Sequence, residues 1–110
     1  MTYEVVILRR ASNDVIHYHR WAAKHAPITA VLWLDRFESA LATLGENPQR
    51  CSLAPESRKS PVELRQFLFG RKPNVYRVIF TIAEAQVRVL RVRRAQRRSL
   101  TAREIKDSLD

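Results

Sequence analysis

With 110 residues, a formal charge of +9 and 45% hydrophobic side chains, the sequence describes one basic folded domain over residues 1–110, long enough for a single modest core. Only two glycines and five prolines exclude a disordered, low-complexity chain. The lone cysteine, Cys51, excludes an internal disulfide framework. The opening "MTYEVVILRR" lacks the regions of a signal peptide and no apolar run reaches the length of a membrane span, which points to the cytoplasm without membrane contact.

In chain order, "YEVVIL" (3–8) is short and β-rich and predicts a first strand. "ASNDVIHYHRWAAKHAP" follows, with N-cap residue types at Ser12 to Asp14 and apolar side chains at Val15, Tyr18 and Ala22 before Pro27, predicting a first helix. "PITAVLWLDRFESALATLGENP" spaces Ala30, Leu34, Phe37, Leu41 and Leu44 helically and ends at Gly45 and Pro48. It predicts a long second helix, and the tight Pro27 joint makes the pair an antiparallel hairpin. Residues 48–60 carry turn chemistry without a period and predict a connection.

"PVELRQFLF" predicts the second strand and "GRKPN" the turn that reverses it. "VYRVIFTI" alternates Tyr76, Val78, Phe80 and Ile82 on one face with Val75, Arg77, Ile79 and Thr81 on the other. "QVRVLRVRR" predicts a fourth strand after a short turn at 83–85, and the spacing of Thr101 to Glu104 allows a short C-terminal helix opened by a capping box. The expected class is α+β, ordered β-α-α-β-β-β, with the N-terminal strand and helical hairpin packed on an antiparallel sheet. Such a sheet needs one covered face, which leaves the other open, with Arg77 pointing into solvent and Arg65 on the neighbouring strand.

The charge is uneven. Residues 61–98 hold ten Lys or Arg against Glu63 and Glu84, a net +8, while the first 60 residues carry +2 and the last twelve −1. A negatively charged partner is the corresponding expectation. His17, His19 and His25 stand two and six apart on one helix, spacings that do not converge on a metal, so no metal and no cofactor is expected. Trp21 and Trp33 read as core anchors and Cys51 as a packing residue. What remains is the arginine group: Arg77 in mid-strand and Arg91, Arg93, Arg94, Arg97 and Arg98 at one sheet edge. Guanidinium groups crowded in this way repel one another and favour an anionic partner, either phosphate backbone or an acidic protein segment.

"ELRQFLFGRKPNVYRVIFTI" followed by "VRVLRVRRAQRR" resembles the strand signature of the RelE/ParE superfamily of bacterial toxins, and "WLDRFESALATLGENPQRC" resembles that family's second helix. The resemblance covers nearly the whole chain. It implies the toxin of a type II toxin–antitoxin module: a growth-arresting protein neutralised by a cognate antitoxin with an acidic segment, meeting operator DNA only through the antitoxin complex. The superfamily has two functional classes on one fold, inhibitors of DNA gyrase and ribosome-dependent mRNA endonucleases.

For an endonuclease, phosphodiester cleavage needs a base, cations on the phosphate and an acid. The resemblance then implies Glu63 as the base with Arg65 and Arg77 as the cations. The acid is the departure: "SLTAREIKDSLD" after Arg98 holds no tyrosine or histidine, and arginine keeps its proton. The long hairpin and the "VLRVRRAQRR" ending resemble the gyrase inhibitors more closely, and for them Arg65, Arg77, Arg91, Arg93, Arg94, Arg97 and Arg98 are the residues that meet target or antitoxin. A non-toxic basic nucleic-acid-binding module fits the composition but not the motif order.

Overall fold

A computed structural model describes residues 2–109. The elements run β1 (Glu4–Ile7), α1 (Arg9–His25), α2 (Pro27–Ala42), β2 (Arg65–Arg71), β3 (Asn74–Ala83), β4 (Gln86–Arg94) and α3 (Ala102–Ser108). Three short 3₁₀ turns, Thr43–Gly45, Pro48–Arg50 and Pro55–Lys59, occupy the stretch between α2 and β2. The α+β order is as the sequence predicts. The sheet is ordered β1-β4-β3-β2 and is mixed: β2, β3 and β4 are antiparallel neighbours, while β1 lies parallel to β4 at one edge, Glu4 opposite Gln86 and Ile7 opposite Val89.

The predicted alternation in β3 builds two cores on opposite faces of the sheet. Val78 and Phe80, with Val87, Val89 and Val92 of β4, pack beneath Ala11, Phe37, Leu41 and Leu44 of the helical hairpin. Ile79 and Leu90 face the other way and are covered by Leu8, Ala54, Leu64, Leu100 and Ile105. The second face is therefore closed, contrary to the open face expected from the strand pattern. The reason is in the sequence: two apolar residues on that face need cover, and the C-terminal segment supplies Leu100, Ile105 and Leu109.

Element ends differ from the sequence prediction for local reasons. Helix α1 starts at Arg9, before the predicted cap, because Leu8 closes β1 by donating its N–H to Val89 O (2.9 Å) while its carbonyl already accepts from Ser12 N–H (3.0 Å). Asp14 is thus carried into the helix, where it faces β4. Strand β2 begins at Arg65 rather than Pro61, since Leu64 N–H is taken by Ser57 Oγ (3.0 Å) and Leu64 O by Ala54 N–H (2.8 Å). The capping box of α3 is present, Glu104 N–H donating to Thr101 Oγ1 (3.1 Å) and Thr101 N–H to Glu104 Oε1 (2.9 Å).

Trp33 is a core anchor, stacked on Phe37 at 5.1 Å. Trp21 is not: it is 57% exposed near the hairpin tip, beyond the reach of the sheet. Cys51 is buried against the hairpin-side core, and burial pushes its thiol above the usual range against the opposing pull of Arg50 and Arg65.

The β2–β3 reversal needs Gly70. Its φ is +101°, and a Cβ there would stand 2.3 Å from Asn74 O. Gly70→Ala is expected to cost about 1–3 kcal/mol, read as a lower midpoint in urea denaturation with an unchanged slope.

Candidate functional site

The arginines of the sheet are less free than their number suggests. Arg77 lies opposite Leu68 on the closed second face, while Arg65 lies opposite Phe80 on the helix-covered face. Arg77 is 8% exposed. Its Nη2 and Nη1 donate to the two carboxylate oxygens of Glu56 (2.6 and 3.1 Å), and its Nε donates to Gln66 Oε1 (2.9 Å). Glu56 is fully buried and also accepts from Leu100 N–H at 3.0 Å, tying together the 3₁₀ turn, β3 and the C-terminal segment. Burial pushes the Glu56 carboxyl up, but the hydrogen bonds from Arg77 and Leu100 outweigh it and leave the group below its ordinary value.

Arg65 is equally engaged, elsewhere. Its Nη1 donates to Cys51 O (2.6 Å) and Gln49 O (3.3 Å), and its Nη2 to Glu63 (3.1 Å), whose side chain is 61% exposed. The sequence-predicted trio of Glu63, Arg65 and Arg77 therefore does not assemble. Arg77 has its own set of partners on the far side of the sheet, and neither Glu63 nor Arg65 is among them.

Two arginines of β4, Arg91 and Arg93, have acids beside them. Strand β1 ends at Ile7, and Asp14 of α1 takes over the edge of β4 beyond it. The Asp14 carboxylate accepts from Arg91 Nε (2.8 Å), Arg91 Nη2 (3.0 Å) and Val92 N–H (2.9 Å). Arg93 is buried beside Glu104 (3.5 Å) with its Nη2 lacking a hydrogen-bond partner. Burial lowers its pKa, as do Arg91, Arg97 and Arg98, against the pull of Glu104. Arg98, 62% exposed, donates to Glu104 at 2.7 Å. That bond, with the N–H of Thr101, holds the Glu104 carboxyl down at about 2.

Glu56, Asp14 and Glu104 were not singled out by the sequence pattern as site residues. Glu104 showed only as a capping-box member and Asp14 only as a cap type, while Glu56 lay in a stretch without a period. A buried mid-strand arginine is itself the signal that an acid must exist somewhere else in the chain.

The charge left over gathers at one end of the sheet. Arg94 bonds only Asn74 Oδ1 (3.0 Å) and lies over the Tyr76 ring at 5.9 Å. Arg97, Arg71 and Lys72 are exposed beside it, joined by the contact of Gln96 Nε2 with Pro73 O (2.8 Å). Among the described residues none of these four makes an ion pair. No group of three His, Cys, Asp or Glu is arranged to hold a metal ion, and no helix is long and apolar enough to cross a membrane, again among the described residues.

Residues 5–99 match the family described as ParE toxin of type II toxin-antitoxin system, parDE. This chain belongs to the ParE toxin family. It is thus a type II toxin, with a cognate antitoxin as its partner, and the RelE-like endonuclease is the disfavoured branch of the superfamily. A chain of the chromosomal ParDE TA system from P. aeruginosa has the same fold: TM-score 0.70 at 16% identity, covering 86% of this ParE-family chain and 98% of that one. No curated protein matches the sequence. The ParE toxin fold here carries a sheet in which Arg77 and Arg93 are buried, while Arg71, Lys72, Arg94 and Arg97 stand at the β2–β3 end without an ion pair among the described residues.

Proposed function

We propose that this ParE-family toxin arrests growth by binding DNA gyrase, without cutting nucleic acid. The observation that carries this reading is the state of Arg77. Each nitrogen of its guanidinium donates to Glu56 or Gln66, and the side chain is buried beneath the C-terminal segment. A cation so held cannot meet a scissile phosphate, and Glu63, the base the resemblance implies, bonds Arg65. Residues 99–110 hold no tyrosine or histidine to protonate a leaving oxygen. Inhibition by occupancy needs none of these groups, only a surface.

The geometry supports assigning that surface to Arg94, Arg97 and Arg98 with the adjoining Arg71 and Lys72. Arg65, Arg77, Arg91 and Arg93 hold the structure that presents it. The same positive end suits an acidic segment of the neutralising antitoxin, and operator DNA would be met only by the toxin–antitoxin complex.

Induction of the chain in a bacterial host is expected to stop DNA synthesis before protein synthesis. Glu63→Gln should leave growth arrest intact, whereas Arg94→Glu with Arg97→Glu should weaken it by about tenfold or more in the inducer needed. Arrest that depends on Glu63, or loss of protein synthesis first, would count against the gyrase reading.

A further inference from the structure

Among the described residues, five of the nine exposed large hydrophobic side chains lie on the helical hairpin: Ile16, Trp21, Ile28, Val31 and Leu32. All but Ile16 stand within about two helical turns of the Ala26–Pro27 joint, and Ile28 is 79% exposed. They do not serve the core, which takes Ala11 from α1 and Ala30, Phe37 and Leu41 from α2. An apolar patch of this kind on a folded chain marks a surface that something else covers.

The charge around the patch has one sign. Residues 15–34 hold Arg20, Lys24 and three histidines but no aspartate or glutamate. Asp14 and Asp35 bound the stretch, and Asp14 is committed to Arg91. Arg20 and Lys24 stand one turn apart on α1 and share a shallow hollow of about 420 Å³ with Ile16 and Trp21. Glu38 of α2 lines a neighbouring hollow with Arg20, yet neither Arg20 nor Lys24 makes an ion pair among the described residues.

We infer that the hairpin tip is a docking surface for an anionic lipid bilayer, entered at headgroup level without crossing it. Trp21 has the amphipathic ring that the membrane–water interface favours, and Ile28 and Val31 reach the acyl boundary beside it. Arg20 and Lys24 extend along the apolar surface to lipid phosphates. Nucleic acid would satisfy these cations but leave Ile28 and Val31 in water, and a second copy of this chain would set Arg20 and Lys24 against the same cations. The sequence led to an expectation of no membrane contact because its apolar runs are too short to span; a tip that only enters the interface needs no span. The inference does not depend on gyrase being the target.

The test mixes the full chain with vesicles of phosphatidylglycerol and phosphatidylcholine in equal parts, and with vesicles of phosphatidylcholine alone, and follows co-sedimentation and tryptophan emission. Binding to the anionic vesicles with a blue-shifted emission is expected, weaker by about tenfold or more when the anionic lipid is left out. Trp21→Ala should remove the blue shift, because Trp33 stays in the core. Ile28→Glu with Val31→Glu should weaken binding by about tenfold or more. Arg20→Glu with Lys24→Glu should weaken it more than Arg94→Glu with Arg97→Glu, although the net charge changes equally. All these variants change side chains at the surface, and circular dichroism checks that they fold. No binding to anionic vesicles, or unchanged binding in the folded Ile28/Val31 variant, would overturn the proposal. Equal losses in the two charge-reversed variants would also overturn it, by reducing the effect to net charge. So would gyrase inhibition lost in the Ile28/Val31 variant of a protein that binds no vesicle, which would assign the tip to a protein partner, or self-association lost in that variant, which would assign it to a second copy.

Discussion

Glu56→Ala is expected to be the most damaging single substitution in this chain, lowering stability by about 3–5 kcal/mol. The loss comes from what remains: Arg77, 8% exposed, would keep a charge inside the second core with only Gln66 as a partner, and Leu100 N–H would lose its acceptor. Removing the charge and its partner together avoids that penalty, so Glu56→Leu combined with Arg77→Met should recover much of the loss. Urea denaturation of the two singles and the double distinguishes this from a simple packing defect, which the double would not repair.

The same carboxylates set the acid limit. Glu56 and Glu104 are both held below the ordinary glutamate value, Glu104 at about 2. A depressed folded pKa stabilises above the unfolded value, about 4.3, and that stabilisation is lost as pH falls toward the folded one. Stability should therefore hold from neutral pH down to about 5 and decline below it.

Asp14→Ala should rank second, at about 2–3 kcal/mol. It frees Val92 N–H at the edge that β1 is too short to cover, and it leaves Arg91 without its carboxylate. Asp14→Asn should cost less, because an amide oxygen can still accept from Val92 N–H. Hydrogen exchange at Val92, faster in Asp14→Ala than in Asp14→Asn, would check the assignment.

The fold was legible because each element writes its own period. The stripe of Ala30, Phe37 and Leu41 specifies one buried face of α2, and the alternation from Tyr76 to Ile82 specifies the strand and its hairpin-side face. The parallel placement of β1 against β4 was not legible, since "YEVVIL" carries no information about its neighbour. The buried setting of Arg77 was not legible for a related reason. The arginines lie together in sequence, but their acids stand on other elements: Asp14 meets Arg91 across 77 residues, Glu56 meets Arg77 across 21, and Glu104 reaches Arg98 from α3. A charge census along the sequence sees the bases and misses the acids that fold back onto them. Trp21 and Trp33 show the same limit. Both sit on helices with an apolar stripe, and only the position of the sheet beneath decides which of them is covered.

The closed second face changes what the family resemblance implies for this chain. A RelE-like active site would need Arg77 open, and here Leu100 and Ile105 cover that face while Glu56 holds the guanidinium. At the end of the sheet Arg71, Lys72, Arg94 and Arg97 make no ion pair among the described residues.

The most direct test of toxicity by occupancy is to add the purified chain to a supercoiling reaction with DNA gyrase and, in parallel, to ribosomes programmed with mRNA. Inhibited supercoiling with intact mRNA is the predicted result, retained in Glu63→Gln and reduced when Arg94 and Arg97 are both reversed to glutamate. Cleaved mRNA with gyrase unaffected would contradict it.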